Sequence, residues 1–221
     1  MSGKKMFALL LIQAAAILLT AWPAAAGSEA GPRIPTAYFA TTGAGQSDQG
    51  IPPDPYETFS YDLALLQAGI ENFNVVYYTS VLPKESYEVP LEHAKPYFHH
   101  GSVLESIMAK AGGVKGDTVA AGVGRVWAKN ANGESIGGFA AEYERVYAKQ
   151  IVSKEQAEAD AKAQLTASLK HELSIRGLTQ DGDMKFSIIS LQIEKNYGLA
   201  LSALGFVNFI IPDPYPLTKN E

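Results

Sequence analysis

The chain has 221 residues, of which 47% are hydrophobic, and it contains no cysteine. A chain of this length and composition can bury one substantial core, and the lack of cysteine excludes both a disulfide framework and a thiolate nucleophile. Its formal net charge of -5 at pH 7 argues against a nucleic-acid partner, because nucleic acids attract basic surfaces.

The N-terminus has the order of features that is typical of a secretory signal peptide. Lys4 and Lys5 precede an apolar run over 7–22, and three alanines that end at Ala26 follow. This pattern predicts cleavage near Ala26 and export, to the periplasm or the medium. An uncleaved membrane anchor is the alternative, but the run is short for a spanning helix, so we expect no stable membrane span after signal removal. The remainder, 27–221, is predicted to form one domain.

The first predicted strand runs over 34–42 and ends at Gly43 and Gly45. These glycines permit positive φ or a close backbone approach, so the stretch is either a plain turn or a loop that lines a substrate pocket. The polar, proline-containing segment 46–57 follows and is predicted to be an exposed connection.

A helix is predicted over 59–68, capped by Thr58 and ended by Gly69. Its expected apolar face consists of three residues at helical spacing: Phe59, Leu63 and Leu66. Asp62 falls beside that face. A single aspartate on a helix is usually solvated, so its position alone indicates no function.

The stretch 72–83 predicts a strand of β-branched and aromatic residues that ends in a hydroxyl pair, Thr79 and Ser80, before Pro83. A serine at such a strand end can take part in chemistry. Serine hydroxyls are nevertheless poor nucleophiles unless a base or an oxyanion-stabilising donor assists them. The Thr-Ser pair alone is therefore also compatible with an ordinary strand end.

Three histidines in the polar connection 84–101 raise the question of a metal site: His93, His99 and His100. No carboxylate or cysteine completes a recognisable ligand set, and adjacent side chains on extended backbone point apart. We therefore interpret these histidines as surface residues and expect no metal.

The stretches 118–129 and 135–148 predict a β-hairpin around a turn at 130–133. The second strand carries Glu142 and Glu144, which are two residues apart and therefore share one face. Two acids on one face of an apolar strand indicate either that this face meets water or that the acids have a function.

A long helix is predicted from a capping box at Ser153 and Gln156 to about Arg176. Its buried face is expected to comprise five residues at i+4 spacing: Ala157, Ala161, Leu165, Leu169 and Leu173. The strands 185–194 and 199–211 are predicted to close the fold as a pair, and the second is apolar enough to be buried on both faces. The order of strands and helices indicates an α+β or mixed α/β fold.

Four stretches together resemble the pyruvoyl-dependent arginine decarboxylases, whose members cut their own backbone before a serine and convert that serine to a pyruvoyl group. These stretches are 39–45, 61–70, 72–83 and 142–144. The resemblance extends over roughly 35–210. It implies an α+β fold in the form of a four-layer αββα sandwich of the pyruvoyl-dependent histidine/arginine decarboxylase type, and a homotrimer with active sites between subunits.

The resemblance also implies how the chain would mature. Cleavage between Thr79 and Ser80 would divide the mature chain into 27–79 and 80–221, with the pyruvoyl group derived from Ser80 as the cofactor. Asn74 would donate a hydrogen bond to the oxyanion if a bend brought it close, since a straight strand leaves it too far from Ser80.

After cleavage, the resemblance implies a Schiff base between the pyruvoyl carbonyl and the amino group of L-arginine. Glu142 would protonate the carbon that loses CO2, and Asp62 would pair with the guanidinium through two bonds, so that agmatine is formed. Two alternatives stay open. One is a pyruvoyl decarboxylase of another amino acid, such as lysine or ornithine, and the other is an uncleaved exported protein that binds a cationic amine.

Overall fold

A computed structural model describes residues 33–149 and 152–211. The predicted signal peptide and its cleavage near Ala26 lie outside these residues. The helices and strands given below belong to one unit, Arg33–Ile211. Within the described ranges, no helix has the length and apolar character needed to cross a membrane.

Strands predominate and helices are interspersed among them, which confirms the predicted α+β class. In chain order the elements are β1 (Ile34–Pro35), β2 (Ala37–Ser47), α1 (Phe59–Ala68), β3 (Asn74–Tyr77), β4 (Val81–Leu82), β5 (Tyr87–Glu88), α2 (Leu91–Ala94), a 3-10 turn (Lys95–Tyr97), β6 (Val103–Val114), β7 (Thr118–Lys129), β8 (Ser135–Tyr147), α3 (Lys154–Ile175), β9 (Thr179–Gln192), β10 (Tyr197–Phe206) and β11 (Phe209–Ile210).

The larger sheet has five strands in the order β3-β6-β10-β2-β5. Its central strand, β10, pairs antiparallel with β2 on one side and with β6 on the other. Every residue of β10 after Tyr197 is buried, which confirms that the last long strand is covered on both faces. At one edge of the sheet, β3 pairs in parallel with the first four residues of β6.

The smaller sheet has four strands in the order β4-β8-β7-β9. Its centre is the hairpin of β7 and β8, whose bounds agree with the prediction. The helix α3 packs on this sheet. The hydroxyl of Ser153 accepts a hydrogen bond from the backbone N–H of Gln156, and the five predicted apolar residues of α3 are buried. The predicted cap and buried face of this helix are therefore confirmed.

Three hydrophobic clusters hold these elements together. One joins α1 to the larger sheet and includes Leu65 and Leu201. A second lies between the two sheets, where Ile107 of β6 and Val123 of β7 belong to the same cluster. The third joins the smaller sheet to α3. These clusters therefore connect the two sheets to each other and connect each sheet to a helix.

The buried face of α1 differs from the predicted one. Leu63 and Leu66, two of the three residues of the predicted apolar face, are 43% and 58% exposed. The residues that α1 buries are mostly small: Ser60, Ala64, Leu65 and Ala68. The large apolar residues do not mark the buried face because α1 lies very close to the larger sheet and contacts it through small residues.

The close approach of α1 to the sheet also explains Gly43 and Gly45. Both glycines lie within β2, so the prediction of a turn or a pocket loop at this stretch is wrong. A Cβ on Gly43 would come within 2.0 Å of the carbonyl oxygen of Ala64, and one on Gly45 within 2.2 Å of that of Ser60. Only a strand without side chains at these positions can accept the helix so near.

The predicted pairing of the last two long strands is wrong. β9 pairs with β7 in the smaller sheet, whereas β10 joins the larger sheet, so the two strands face each other across the core. The hydroxyl of Ser202 on β10 donates a hydrogen bond to the carbonyl of Ser187 on β9 at 2.8 Å. The strands beside β10 are instead β2 and β6, and β6 was not among the predicted elements.

The predicted strand over 72–83 consists of two strands in different sheets. β3 ends at Tyr77 in the larger sheet, and β4 begins at Val81 in the smaller one. The three residues between them, Tyr78, Thr79 and Ser80, carry the chain from one sheet to the other, and we call them the crossing segment. The predicted cleavage site lies within it.

Candidate active site

The crossing segment is held by its two end residues. The backbone N–H of Tyr78 donates to the carbonyl of Ser106 at 2.8 Å, and the carbonyl of Ser80 accepts from the N–H of Ala140 at 2.9 Å. The first bond belongs to the larger sheet and the second to the smaller sheet. Between them, the backbone of Thr79 forms no hydrogen bond with another described residue. The carbonyl of Thr79 is therefore not held by a hydrogen bond to any described residue.

Ser80 and Glu142 form a hydrogen bond although 62 positions separate them in the chain. The Ser80 hydroxyl donates to the carboxylate, with Oγ 3.2 Å from Oε1 and 3.1 Å from Oε2. The pairing of β4 with β8 causes this proximity, because Val81 lies opposite Phe139. The structure thus brings together the two residues that were predicted to be catalytic.

The surroundings of Glu142 raise the pKa of its carboxyl group. Burial of the carboxyl group is the largest influence and raises its pKa, although the residue as a whole is exposed. The Ser80 hydroxyl and a backbone hydrogen bond lower the pKa, and the negative charge of Glu144 raises it. The net result is a pKa above the usual value for glutamate. Such a carboxyl can hold a proton closer to neutral pH.

Glu144 has a different environment from Glu142. Its Oε1 accepts a hydrogen bond from the backbone N–H of Lys110 at 2.8 Å. Because β3 pairs only with the first four residues of β6, this edge of β6 is without a partner strand at Lys110. Glu144 therefore satisfies an N–H at a strand edge, whereas Glu142 contacts Ser80 of the predicted cleavage site. Both acids are exposed, and each has a defined contact.

Asp62 is exposed on α1, and its carboxylate has no hydrogen-bond or ion-pair partner in the part of the chain that the structure describes. The residue before it, Tyr61, connects the helix to the strand that enters the crossing segment. The hydroxyls of Tyr61 and Tyr77 are 3.4 Å apart, and Lys110 Nζ lies 4.7 Å from the centre of the Tyr61 ring. The Asp62 carboxylate is thus available to a cationic ligand.

Asn74 lies at the start of β3, away from Ser80. Its Nδ2 donates to the carbonyl of Gly101 at 2.8 Å, and its backbone N–H donates to the carbonyl of Ser102. The strand is straight from Asn74 to Tyr78, a span of about 13 Å at ~3.3 Å per residue. The bend that would carry the Asn74 amide to the cleavage site within one chain is not present.

Comparison with known proteins identifies the family. A family model described as pyruvoyl-dependent arginine decarboxylase matches residues 37–210. The chain belongs to this family. It is 48% identical over 189 residues to the pyruvoyl-dependent arginine decarboxylase AaxB of Chlamydia caviae and 47% identical to that of Chlamydia muridarum, with 83% of this chain and 96% of each relative covered. The pyruvoyl-dependent arginine decarboxylase of Methanococcus vannielii is 28% identical over 65% of this chain and 77% of its own length.

Membership confirms the resemblance and makes the chain a carboxy-lyase with a pyruvoyl cofactor. The residues present fit that cofactor. A pyruvoyl group requires a serine that follows a carbonyl open to attack, and Ser80 follows the carbonyl of Thr79, which forms no hydrogen bond with any other described residue. Glu142 lies where it can accept the serine proton.

The chain also has a buried polar group near the crossing segment that was not predicted from the sequence. Glu105 on β6 is only 4% exposed. Its carboxylate accepts a hydrogen bond from the hydroxyl of Tyr78 and forms an ion pair with Arg33. An acid within the mostly apolar stretch 103–109 could have indicated this buried group, but β6 itself was not predicted.

A second missed group joins the two sheets. Arg125 on β7 is 4% exposed and donates to Glu88 on β5 at 2.5 Å and to the Ser187 hydroxyl at 3.3 Å. Lys185 also donates to Glu88, at 3.0 Å. Burial by itself would raise the pKa of Glu88, but the bonds from Arg125 and Lys185 outweigh it and hold that pKa below its usual value. The feature of the sequence that could have indicated this group is an arginine among the small residues of β7.

The three histidines of the connection 84–101 are exposed, which confirms that they are surface residues. His100 Nδ1 lies 3.1 Å from Oδ1 of Asn72. Among the residues described, no group of three or more metal-binding side chains is placed to hold an ion.

Proposed function

We propose that this chain cleaves itself between Thr79 and Ser80 and then converts L-arginine to agmatine and CO2. The observation that carries the proposal is the hydrogen bond between Ser80 and Glu142 at a chain crossing where the Thr79 carbonyl is open. Membership of the family supports the type of reaction, and the relatives' names support arginine as the substrate.

In the proposed self-cleavage, the Ser80 hydroxyl transfers its proton toward Glu142, and Oγ attacks the carbonyl carbon of Thr79. The bond between that carbon and the nitrogen of Ser80 breaks, which leaves an ester on Oγ. Elimination of the Thr79 carboxylate and hydrolysis with loss of ammonia then leave a pyruvoyl group at residue 80. The contact with Glu142 supplies the base that a serine needs for this attack.

In the proposed decarboxylation, the pyruvoyl group supplies an electron sink for the bond that breaks. Glu142 then returns a proton to the carbon that has lost CO2. The raised pKa of Glu142 suits this role, and conversion of Ser80 removes one of the hydrogen bonds that lower it. Maturation itself would therefore move the pKa of Glu142 further upward.

Asp62 is proposed to bind the guanidinium of arginine. Its exposed carboxylate has no partner among the described residues, and Tyr61 links its helix to the strand before the cleavage site. A carboxylate can accept two parallel hydrogen bonds from a guanidinium, which an ammonium group cannot donate in the same geometry. This residue would distinguish arginine from lysine and ornithine.

Asn74 is proposed to assist maturation. Its hydrogen bond to the carbonyl of Gly101 fixes the start of β3, the strand that leads into the crossing segment. Replacement of Asn74 by alanine is expected to slow cleavage while the cleavage position stays the same.

We further propose that the two sheets and their covering helices form the four-layer αββα sandwich of this family, and that the active unit is a trimer. The order of the three hydrophobic clusters supports the layers. Support for assembly comes from exposed apolar side chains on both sides of the crossing segment: Leu63, Leu66, Val76, Tyr77 and Val81. For localisation, we propose export directed by residues 1–26, on their sequence pattern.

Denaturing mass spectrometry of the purified mature protein tests the proposal. Cleavage predicts one fragment of 53 residues, from 27 to 79, and one of 142 residues, from 80 to 221, the second with a blocked N-terminus. The variant Ser80→Ala should remain a single chain. An intact wild-type chain would contradict the proposal and favour the uncleaved protein that binds a cationic amine.

Substrate choice is tested separately with the cleaved protein. Release of CO2 from arginine should exceed release from lysine or ornithine, and Asp62→Asn should reduce turnover of arginine without affecting cleavage. Equal turnover of the three amino acids, or full activity of Asp62→Asn, would overturn the assignment of Asp62 and favour a decarboxylase of another amino acid.

A further inference from the structure

We propose that the buried contact between Tyr78 and Glu105 positions the crossing segment for self-cleavage, and that both are positioning residues in maturation. This inference rests on the proposed cleavage between Thr79 and Ser80. It adds a function for two side chains that do not touch the reacting atoms.

Glu105 is a carboxylate in the interior of the protein. It lies on β6 and is 4% exposed, between the ion pair with Arg33 and the hydroxyl of Tyr78. A buried carboxylate is costly unless it is paired, so Glu105 retains strong partners. Hydrogen bonds to charged groups are stronger than those between neutral groups, which makes Tyr78 one of the most firmly held residues near the cleavage site.

Tyr78 is also the residue immediately before Thr79, whose carbonyl belongs to the bond that breaks. Its ring packs against Phe206 with 5.5 Å between ring centres, and its backbone N–H is bound to Ser106. Ring, hydroxyl and backbone are thus all fixed to the larger sheet. The Thr79 carbonyl follows directly from this fixed residue.

The other end of the crossing segment is fixed to the smaller sheet. The carbonyl of Ser80 is bound to Ala140, and Leu82 is 1% exposed in the cluster between the sheets. Thr79 is therefore the one residue of the crossing segment whose backbone makes no hydrogen bond to a described partner. Two fixed ends determine how the Thr79 carbonyl is presented to Ser80 Oγ. Attack requires the reacting atoms to stay in contact and aligned, and loosening one end reduces the time spent in that arrangement.

The experiment follows self-cleavage in real time. The full chain is made by cell-free synthesis, and the cleaved fraction is measured on denaturing gels and by mass spectrometry at successive times. Tyr78→Phe keeps the ring and removes the hydroxyl, and Glu105→Gln removes the charge. Each is expected to slow cleavage roughly tenfold or more, the effect of losing a hydrogen bond to a charged group at the rate-limiting step. The double variant should be no slower than the slower single one, because Glu105→Gln weakens and Tyr78→Phe removes the same hydrogen bond.

Tyr147→Phe is the matched control. The Tyr147 hydroxyl donates to Asp160 at 3.0 Å, so it also forms a tyrosine-carboxylate bond, but it does so beside α3. This variant should cleave at the wild-type rate. In the uncleavable Ser80→Ala background, Tyr78→Phe and Tyr147→Phe should lower Tm by similar amounts, which separates positioning from general stability.

The outcomes distinguish this inference from the function on which it rests. If the wild type is cleaved and Ser80→Ala is not, the proposed function stands. Cleavage of Tyr78→Phe and Glu105→Gln at the wild-type rate would then overturn the positioning role alone, as would equal slowing of Tyr147→Phe. A wild-type chain that remains intact would overturn both.

Discussion

Glu142 and Glu144 offer a direct test of the proposed chemistry because they lie on the same face of β8 and are both exposed. Glutamine at position 142 keeps the shape of the side chain but can neither accept the Ser80 proton nor donate one as an acid. General acid-base catalysis typically contributes about 10²- to 10⁴-fold. At ~1.36 kcal/mol per tenfold, Glu142→Gln should therefore raise the barrier to turnover by about 3 to 5 kcal/mol.

The control for Glu142→Gln is Glu144→Gln, which keeps an oxygen to accept the N–H of Lys110. It removes, however, a negative charge that raises the pKa of Glu142. The pKa of Glu142 should then fall, so its protonated form is lost at a lower pH. We expect near-normal cleavage and turnover in Glu144→Gln, with the alkaline limb of kcat moved to lower pH.

The assay measures two quantities for each variant. Denaturing gels give the rate of cleavage, and release of labelled CO2, divided by the amount of cleaved chain, gives turnover per pyruvoyl group. Glu142→Gln should be impaired in both. If Glu142→Gln were cleaved and turned over substrate within a factor of ten of the wild type, the role assigned to Glu142 would be refuted. An alkaline limb of Glu144→Gln moved to higher pH would contradict the sign of the charge effect.

Two further predictions concern stability, measured by denaturant unfolding of the Ser80→Ala chain. Glu88→Gln leaves Arg125 buried without its charged partner and should cost about 3 kcal/mol, whereas Glu92→Gln breaks only an exposed pair with Lys95 and should cost under ~1 kcal/mol. Folding lowers the pKa of Glu88, so the stability that this carboxylate contributes is present above its unfolded pKa and is lost as the pH falls through its folded pKa. The free energies of unfolding of Glu88→Gln and Glu92→Gln should therefore converge in acid. Gly43→Ala should cost more than ~3 kcal/mol, since its Cβ meets backbone at 2.0 Å, while Gly133→Ala, with φ of 80° and open space, should cost about 1 kcal/mol; equal losses would refute the close-approach explanation.

Elements whose stabilising contacts are local could be predicted from the sequence. The cap at Ser153 and the i+4 row of α3 involve residues three or four positions apart, and the hairpin of β7 and β8 has its turn in the sequence itself. The partner strands of β9 and of β10 could not be predicted in this way. Their adjacency in sequence suggested a hairpin, but which sheet each joins depends on partners far away in the chain.

The buried face of α1 could not be predicted from its apolar residues for a related reason. The periodicity of Leu63 and Leu66 indicates an apolar stripe but not whether the protein core or another surface covers it. The deciding information lay in Gly43 and Gly45 of β2, which select small residues on the opposing helix. The hydrophobicity of the helix alone does not indicate how closely it approaches the sheet.

The candidate site was predicted unevenly. No rule of spacing places Ser80 beside Glu142, since 62 positions separate them, and the prediction came from the family resemblance. Tyr78 and Glu105 are 27 positions apart and were not predicted at all. Their contact depends on the parallel pairing of β3 with β6, and β6 was the strand missing from the prediction.

The fold also explains how the two parts of the chain would stay together after the proposed cut in the crossing segment. The part before Thr79 supplies β2, α1 and β3, and ten consecutive residues of β2 pair with β10 from the part after it. The buried face of α1 adds apolar contacts to the same sheet. None of these interactions passes through the bond between Thr79 and Ser80, so its loss removes a covalent link and leaves the sheet pairing in place. A crossing between two sheets is thus a position where the backbone can be used as a reactant, because neither sheet depends on its continuity.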